Sequence, residues 1–348
     1  MNTFFIEFRD PLFSIIIFFA LIFIVTFFSY WWGRYKRKED YRHLDTFLKQ
    51  FRSLPSQQEL KGLITKGELP EKSWLLLAHA YSKNGDYEKS IDIYNEMLKV
   101  GDKTNAKETM FLLGRTYFRA GFLERAKNIF LEILKNSPRT PQALTYLLLV
   151  YEYMKDYKSA LEVLDSLDEL KKDILSDSAY LKSLAIINDA NTTIRYKADN
   201  LLEIYKHSYQ LTYLVYDYLF RVNPKLAWGN FNSANAHLIS DVLWRLKKED
   251  LDLDIIRQNG YLSELYTARG DVDFATKSSI FEFDVLINLK KECCATLSFE
   301  YICNGCKQVY PFAFNRCSSC HSINTQEIEL ILSKNYYRDF SEENNSFQ

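Results

Sequence analysis

Residues 70–97, PEKSWLLLAHAYSKNGDYEKSIDIYNEM, carry the clearest structural pattern of this chain. The first half of the stretch places apolar and small residues on one face of a helix, at Trp74, Leu77, Ala78 and Tyr81. The second half does the same at Ser90, Tyr94 and Met97. Between the halves, Gly85-Asp86-Tyr87 interrupts the helical spacing and predicts a tight turn. The stretch therefore predicts two helices folded into a hairpin.

The same residue classes return in register at a period of about 34 residues. In the next unit they are Met110, Leu113, Gly114, Tyr117, Ala126, Phe130 and Ile133, and the unit closes with Pro138. In a third unit they are Leu144, Leu147, Leu148, Tyr151, Ala160, Leu164 and Leu167, with Asp156 and Tyr157 at the turn. A generic amphipathic bundle does not explain this register. We identify tetratricopeptide-type repeats, in which small residues such as Gly114 and Ala126 let paired helices approach and stacked hairpins bind protein partners.

The repeat pattern weakens between Asp173 and about Leu253, where we expect degenerate repeats. Helical spacing persists at residues 179–187, 201–218 and 237–246. The tyrosines at positions 205, 209, 213, 216 and 218 carry no functional prediction, because aromatic residues at helical spacing usually belong to a core. A clearer hairpin returns at Ile256–Leu289, with a turn at Gly270–Asp271 and a second helix beginning at Ala275. The array is predicted to cover residues 72–290.

A membrane span is predicted at residues 12–32, LFSIIIFFALIFIVTFFSYWW, which contain no charge and match a bilayer core of about 30 Å as a helix. Acidic residues before it and bulky aromatic residues at its end disfavour a cleaved signal peptide. Basic residues follow at 34–38, and positive charge beside a span stays in the cytoplasm. We expect residues 1–11 on the far side, residues 33–71 as a basic juxtamembrane segment with a linker or irregular first repeat, and a cytoplasmic body.

Two Cys-x-x-Cys pairs form the strongest chemical signal: Cys303 with Cys306, and Cys317 with Cys320, separated by ten residues. Each pair suits a tight turn, and two turns supply a tetrahedral set of four thiolates. This predicts a four-cysteine metal module at residues 298–330, with Tyr301, Val309, Tyr310, Phe312 and Phe314 packed around the centre. Cys293 and Cys294 lie outside the spacing and are predicted to pack rather than bind metal. A polar tail follows at residues 331–348.

Three other kinds of chemistry are open to the four cysteines. Disulfides require an oxidising compartment, which the predicted topology does not provide. Cys317-x-x-Cys320-His321 also fits a c-type haem attachment, but haem would leave Cys303 and Cys306 without a purpose. The main alternative to zinc is iron in an electron-transfer site, because four-cysteine sites bind either metal. Zinc is favoured, since no redox domain accompanies the module and four protein ligands leave no open position for catalysis.

The composition favours an all-α class with the small metal module appended. Hydrophobic residues make up 47% of the 348 residues, enough for a substantial core, whereas Gly (11) and Pro (7) are scarce. Lys and Arg total 44 against 45 Asp and Glu, so the cationic field of a nucleic-acid binder is missing. We find no Gly-rich phosphate loop, His-Glu-x-x-His helix or nucleophile elbow, and the five histidines are dispersed. No enzyme is predicted.

A span that ends at Trp32-Gly33-Arg34, a tetratricopeptide array and a terminal double Cys-x-x-Cys occur here in one chain. In this order of parts, over nearly its whole length, the chain resembles the lipopolysaccharide assembly protein B family of Gram-negative inner-membrane proteins. The resemblance implies a periplasmic tail at residues 1–11, an inner-membrane location and a rubredoxin-like or zinc-ribbon module packed on the repeats, with Cys303, Cys306, Cys317 and Cys320 as ligands. The chain departs from rubredoxin-like turns at Lys307 and Ser318, where Gly and Pro are usual.

The resemblance also implies an activity. The protein would be an adaptor that restrains lipopolysaccharide synthesis by helping a membrane-bound AAA+ protease degrade the deacetylase that commits precursor to the pathway. A scaffold for another envelope assembly, such as a secretion or division complex, would use the same architecture. An iron-binding electron-transfer protein is a third hypothesis.

Overall fold

The computed structural model describes residues 18–19, 21–28, 59, 62–64, 70–100, 106–170, 174–289 and 295–334. The chain divides into two compact units, residues 1–154 and 155–348. The helices of the first unit are α1 Glu71–Asn84, α2 Tyr87–Val100, α3 Ala106–Arg119, α4 Leu123–Asn136 and α5 Pro141–Tyr153. Those of the second unit are α6 Tyr157–Asp168, α7 Leu175–Asn188, α8 Ile194–His207, α9 Thr212–Val222, α10 Pro224–Asn230, α11 Ser240–Arg245, α12 Leu253–Gln258, α13 Gly260–Arg269 and α14 Phe281–Leu289.

The first unit consists of two helical hairpins, α1–α2 and α3–α4, and the further helix α5, all at positions of the predicted repeats. Each helix packs against the next one along the chain. In addition, α3 contacts α1 on one side and α5 on the other. Gly85 after α1 and Gly121 after α3 adopt φ of +88° and +80°, a left-handed conformation that lets the chain reverse without steric cost. The repeat positions form the core, since Trp74, Ala78, Tyr81, Tyr94, Leu113, Phe130, Ile133 and Leu147 are all buried. Tetratricopeptide-type hairpins are thus confirmed.

The repeat period is visible in a single contact between first helices. Thr116 on α3 lies 34 residues after Ser82 on α1, and their hydroxyl oxygens are 3.5 Å apart in the buried interface. Equivalent positions of consecutive hairpins therefore meet, as expected when each repeat buries its apolar face against the next.

Gly114 provides the close approach between α3 and α4. A Cβ at this position would lie 2.8 Å from Phe130 Cε1 and 3.1 Å from Ile129 Cγ2, closer than ordinary van der Waals contact. Phe130 is fully buried and its ring stacks on Tyr146, with centroids 5.6 Å apart. The small residue at 114 therefore leaves room for the buried ring of Phe130.

Gly114→Ala is expected to lower the free energy of unfolding by about 1 kcal/mol. Alanine gains about 1 kcal/mol of helix propensity, but displacing a ring in a filled core costs about 1–3 kcal/mol. Urea unfolding of the full chain measures the difference. Gly229→Ala is the matched control, because a Cβ at that helical position meets no atom within 4 Å. Equal stability of the two variants would mean that Phe130 moves without cost.

The second unit is helical where the weaker pattern predicted helices, but its hairpins are irregular. Short 3-10 segments interrupt it at Tyr209–Leu211, Ser233–Ile239 and Lys248–Asp250. The predicted helix start at Ala275 is wrong, because α14 begins only at Phe281. The backbone N–H groups of Phe274 and Ala275 both donate to Thr267 Oγ1 at 3.2 Å, and the Arg257 guanidinium lies over the Phe274 ring. These contacts hold the segment against α13 as a loop.

A small antiparallel sheet closes the second unit. Its strands are β1 Ala295–Cys303, β2 Val309–Tyr310 and β3 Gln326–Lys334, in the order β2-β1-β3. β1 pairs with β3 from Ala295 opposite Lys334 to Cys303 opposite Gln326. Both long strands contact α14, and β3 also contacts the 3-10 segment Ser233–Ile239. The sheet extends slightly beyond the predicted module of residues 298–330.

The predicted membrane span lies largely outside the described residues. Its described part, residues 18–19 and 21–28, is helical with exposed side chains. Within the described part of the chain, no helix combines the length and apolar character needed to cross a bilayer. The tail at 1–11, the basic cluster at 34–38, most of the linker, the last residues of the polar tail, and Cys293 and Cys294 also lie outside the described residues. The span therefore stays a prediction.

Candidate metal centre

Each Cys-x-x-Cys pair lies on a tight turn, and the two turns share one backbone hydrogen-bond pattern. The first cysteine donates its N–H to the carbonyl five residues later, and its own carbonyl accepts from the N–H four residues later. The bonds join Cys303 N to Gln308 O (3.0 Å), Lys307 N to Cys303 O (2.7 Å), Cys317 N to Ser322 O (2.9 Å) and His321 N to Cys317 O (2.9 Å). The two turns are structurally equivalent halves of one site.

The residue after the second cysteine of each turn adopts the left-handed conformation. Lys307 has φ of +60° and His321 has φ of +62°. A residue with a Cβ pays about 1–2 kcal/mol for this conformation, whereas glycine does not. The turn thus keeps its shape although Lys307 stands where Gly is usual.

Lys307→Gly is expected to raise the free energy of unfolding by about 1 kcal/mol, because it removes the strain of the left-handed lysine. Chemical unfolding monitored by circular dichroism measures the change. Lys307→Ala is the matched control, since it removes the same side chain and its 3.1 Å hydrogen bond to Asn304 but keeps the Cβ. If both variants stabilise equally, the gain does not come from the backbone.

The four sulfurs lie close enough together to hold a metal ion. All lie within 4.8 Å of one another, and the pairs Cys303–Cys320 and Cys306–Cys317 are both separated by 3.6 Å. Four thiolates around zinc with bonds of about 2.3 Å would stand about 3.8 Å apart. None of the four forms a disulfide. The donor set and its spacing therefore fit a tetrahedral tetrathiolate site.

Hydroxyl groups surround the sulfurs. Thr325 Oγ1 lies 3.2 Å from Cys303 Sγ, Tyr310 Oη lies 3.1 Å from Cys317 Sγ, and Ser322 Oγ lies 3.3 Å from Cys320 Sγ. Burial opposes ionisation of Cys303, but hydrogen bonds from Thr325 and from backbone N–H groups outweigh it and lower the pKa of Cys303 to about 6. The pKa of Cys317 is lowered too, as the Tyr310 hydrogen bond and backbone N–H groups outweigh its burial. These hydrogen bonds favour, at Cys303 and Cys317, the thiolate form that binds metal. At Cys306 the backbone hydrogen bond from Gln308 is outweighed by burial and by the neighbouring thiols, which raise its pKa to about 11, so metal binding has to displace its proton.

The predicted aromatic packing around the centre is correct in part. Tyr301 is buried, and Tyr310 and Phe314 meet edge to face with centroids 4.9 Å apart. Phe312, however, is 79% exposed and Val309 is 44% exposed. Val309 lies on β2 and Phe312 follows it, and β2 is an edge strand of the described sheet, with no further strand beside it. These two side chains do not contribute to the core of the module.

Asp241 on α11 fastens the metal module to the helices of the second unit. Its side chain is 1% exposed, and its Oδ2 accepts hydrogen bonds from Tyr213 on α9 (2.8 Å), Tyr301 on β1 (2.8 Å) and Arg245 (2.7 Å). Burial, followed by the Asp241 charge, raises the pKa of Tyr213 and of Tyr301 above the usual range. Both tyrosines therefore remain neutral donors, and one carboxylate joins three structural elements.

Arg316 makes a second attachment, beside the second turn. Its guanidinium donates to the His321 carbonyl at 2.8 Å and forms a 2.9 Å ion pair with Asp177 on α7. It also lies over the Tyr180 ring, 5.1 Å from the centroid. The residue next to Cys317 is thus held by α7, which couples the position of this turn to the helical part of the unit.

The comparison with protein-family models supports helical repeats in the first unit. A family model described as the PPR repeat matches residues 72–102, which contain nearly all of α1 and the whole of α2. No curated protein sequence matches the chain. The structure is similar to that of MamA, from residue 41 to its end, from Desulfovibrio magneticus RS-1, with a TM-score of 0.31 and 19% identity over 56% of this chain and 90% of that one. It is also similar to a tetratricopeptide repeat protein from Parabacteroides merdae ATCC 43184, with a TM-score of 0.41 and 14% identity over 72% of this chain and 97% of that one.

Proposed function

We propose that this protein is a non-enzymatic adaptor that holds protein partners on its helical repeats at a membrane. The observation that carries this proposal is the stack of helices in the first unit, in which α1, α3 and α5 contact one another in order and share a core with α2 and α4. Helical repeats share a core between neighbours and offer extended surfaces, which is the usual physical basis of protein binding by such arrays.

In this proposal Cys303, Cys306, Cys317 and Cys320 bind one zinc ion with a structural role. Four thiolates leave no open coordination position, so the ion would stabilise the turns and take no part in catalysis. The Asp241 and Arg316 contacts support a role in stiffening the helices next to the module. An absorption spectrum of the purified protein tests the metal, because zinc is silent and oxidised iron bound by four thiolates is red.

The finer assignment rests on the sequence resemblance. Residues 12–32 would anchor the chain in the bacterial inner membrane, with the repeats and the metal module in the cytoplasm. The partners would be a membrane AAA+ protease and the deacetylase that commits precursor to lipopolysaccharide synthesis. What supports this is the order of predicted span, repeats and four-cysteine module along one chain.

Affinity capture of the tagged full-length chain from detergent-solubilised membranes tests the adaptor function. Recovery of the protease and the deacetylase is expected, and a variant lacking residues 1–33 should fold but recover less of the membrane-bound protease. Recovery of a different envelope complex instead would favour the alternative scaffold. Recovery of no protein above an untagged control would contradict the adaptor function.

A further inference from the structure

Strand β3 is an edge of the small sheet, because the strand order β2-β1-β3 gives it a partner on one side only. Every second residue of an antiparallel edge strand directs its N–H and C=O away from the sheet. Within the described part of the chain, no backbone hydrogen bond outside the β1 pairing involves residues 327–334. With nine residues, β3 therefore presents a row of backbone groups to another strand, whereas the other edge strand, β2, has only two residues.

The helices beside the sheet leave β3 accessible. None of its nine residues is buried, although the neighbouring β1 has three buried residues, Leu297, Tyr301 and Cys303. Helix α14 and the 3-10 segment Ser233–Ile239 contact β3, but neither supplies a backbone hydrogen bond to it. An open edge of this length is a template for strand addition, by which proteins bind an extended segment of another chain.

One face of β3 is apolar. Its side chains are those of Ile328, Leu330 and Leu332, and Ile328 and Leu332 stand opposite Tyr301 and Leu297 of β1. Both of these β1 residues are buried, and the Tyr301 hydroxyl reaches Asp241, so this face is directed toward the helices. A strand added beside β3 would continue the face with an apolar residue at every second position.

The opposite face of β3 carries negative charge without compensation. Glu327 and Glu329 are exposed there, and Glu329 stands directly opposite Glu300 of β1, which is exposed as well. Like charges at directly opposite positions of a sheet repel each other. None of the three carboxylates forms an ion pair within the described residues. A cation brought alongside β3 would relieve this repulsion, so the charge of the edge favours a basic strand.

We propose that β3 binds an extended segment of a partner protein as a fourth strand, with Lys or Arg beside Glu327 and Glu329 and apolar residues beside Leu330 and Leu332. The proposal rests on the adaptor function and specifies the chemistry and the conformation of its partner. Backbone hydrogen bonds along β3 supply affinity, and the alternation of basic and apolar side chains supplies specificity.

Two other occupants of this edge match its charge less well. A second copy of β3 would bring the same carboxylates, Glu327 and Glu329, to the shared face. The tail of residues 335–348 contains three acidic residues and one basic residue, so it would add negative charge at the edge. Repulsion disfavours both, and this selects a basic segment of another protein.

Fluorescence anisotropy with the full-length protein in mild detergent tests the edge. The probe is a fluorescein-labelled peptide of about nine residues in which Lys alternates with Val, matched to the length of β3. One control peptide has Glu in place of every Lys, and the other keeps the side chains but is methylated at every backbone amide nitrogen, so that it donates no backbone hydrogen bond. We expect the Lys peptide to bind at least about tenfold more tightly than either control, with affinity falling as salt rises. Equal binding of either control would overturn the proposal.

A Glu327→Gln/Glu329→Gln variant should bind the Lys peptide about threefold to tenfold more weakly, because it removes the charges and keeps the backbone edge. Both side chains are exposed, so the sheet should stay folded. Glu162→Gln on α6 is the matched control, since Glu162 is an exposed carboxylate of the same unit without an ion pair among the described residues. Equal effects of the two changes would contradict the proposed site.

Hydrogen exchange measured by mass spectrometry locates the added strand. Amides of residues 326–334 should exchange more slowly when the Lys peptide is bound, and those of α6 should be unchanged. Unchanged exchange at β3 would overturn the proposal. Slow exchange at β3 in a concentration-dependent dimer without peptide would instead assign the edge to a second copy, and faster exchange at β3 after removal of residues 335–348 would assign it to the tail.

A membrane capture separates this proposal from the adaptor function. If wild-type protein and the Glu327→Gln/Glu329→Gln variant recover the same partners equally, β3 is not the docking edge, while the adaptor function stands. If wild-type protein recovers no partner, the adaptor function itself fails. Selective loss of partners from the variant supports both.

Discussion

Cys303→Ser is expected to abolish stoichiometric metal binding and to unfold the sheet of residues 295–334, while the helices of the first unit remain folded. Cys303 is fully buried at the end of β1, and its sulfur lies 3.6 Å from that of Cys320. A module of about forty residues has too small a core to fold alone, and zinc contributes about 10–16 kcal/mol to isolated modules of this kind. Serine is a poor zinc ligand, so most of that contribution is lost.

The metal content of the purified full-length protein, measured by inductively coupled plasma mass spectrometry, checks the first part of this prediction. Limited proteolysis checks the second, because an unfolded sheet exposes its backbone to cleavage. Cys294→Ser is the matched control, since Cys294 lies outside the Cys-x-x-Cys spacing and should leave both results unchanged. Wild-type metal content and protease resistance in Cys303→Ser would exclude the four-thiolate site.

The hairpins of the first unit could be predicted because local signals agree with tertiary packing. Trp74 and Tyr81 mark a helical face, Gly85 marks the turn, and the same classes return one period later. Gly114 could be assigned to a close helix contact for the same reason, and the structure places the Phe130 ring against it. The two cysteine turns could also be predicted from the sequence, since the spacing of two residues within each pair restricts the turn geometry.

The contacts that position the module could not be predicted, because they join residues far apart in sequence. Tyr301 and Asp241 are 60 residues apart, and Arg316 and Asp177 are 139 apart. Tyr213 belongs to a run of tyrosines that gave no functional signal, and only the structure shows which hydroxyl reaches Asp241. The start of α14 could not be predicted from helical periodicity for a local reason. The Thr267 hydroxyl accepts hydrogen bonds from the loop backbone, and the spacing of apolar residues does not reveal such a contact.

Asp241→Ala is expected to lower the free energy of unfolding of the second unit by about 3–5 kcal/mol. The change leaves two tyrosine hydroxyls without their shared acceptor and Arg245 without its buried ion-pair partner, and removing one member of a buried charged network has a cost of this size. Asp241→Asn should cost less, because the amide oxygen still accepts hydrogen bonds but carries no charge. Urea unfolding followed by tyrosine and tryptophan fluorescence measures both changes.

Asp217→Ala is the matched control for this network. Asp217 is 33% exposed, pairs with Arg221 at 2.6 Å and reaches Arg245 only at 4.0 Å, at the edge of the network, so its loss should cost less than about 1 kcal/mol. Asp241→Ala should also keep its metal, because Asp241 contacts none of the four cysteines, and this distinguishes it from Cys303→Ser. A stability loss no larger than that of Asp217→Ala would mean that apolar packing, and not the carboxylate, holds β1 against α9 and α11. The turns would then bind metal independently of the helices, and the zinc proposed here could not stiffen the scaffold through Asp241.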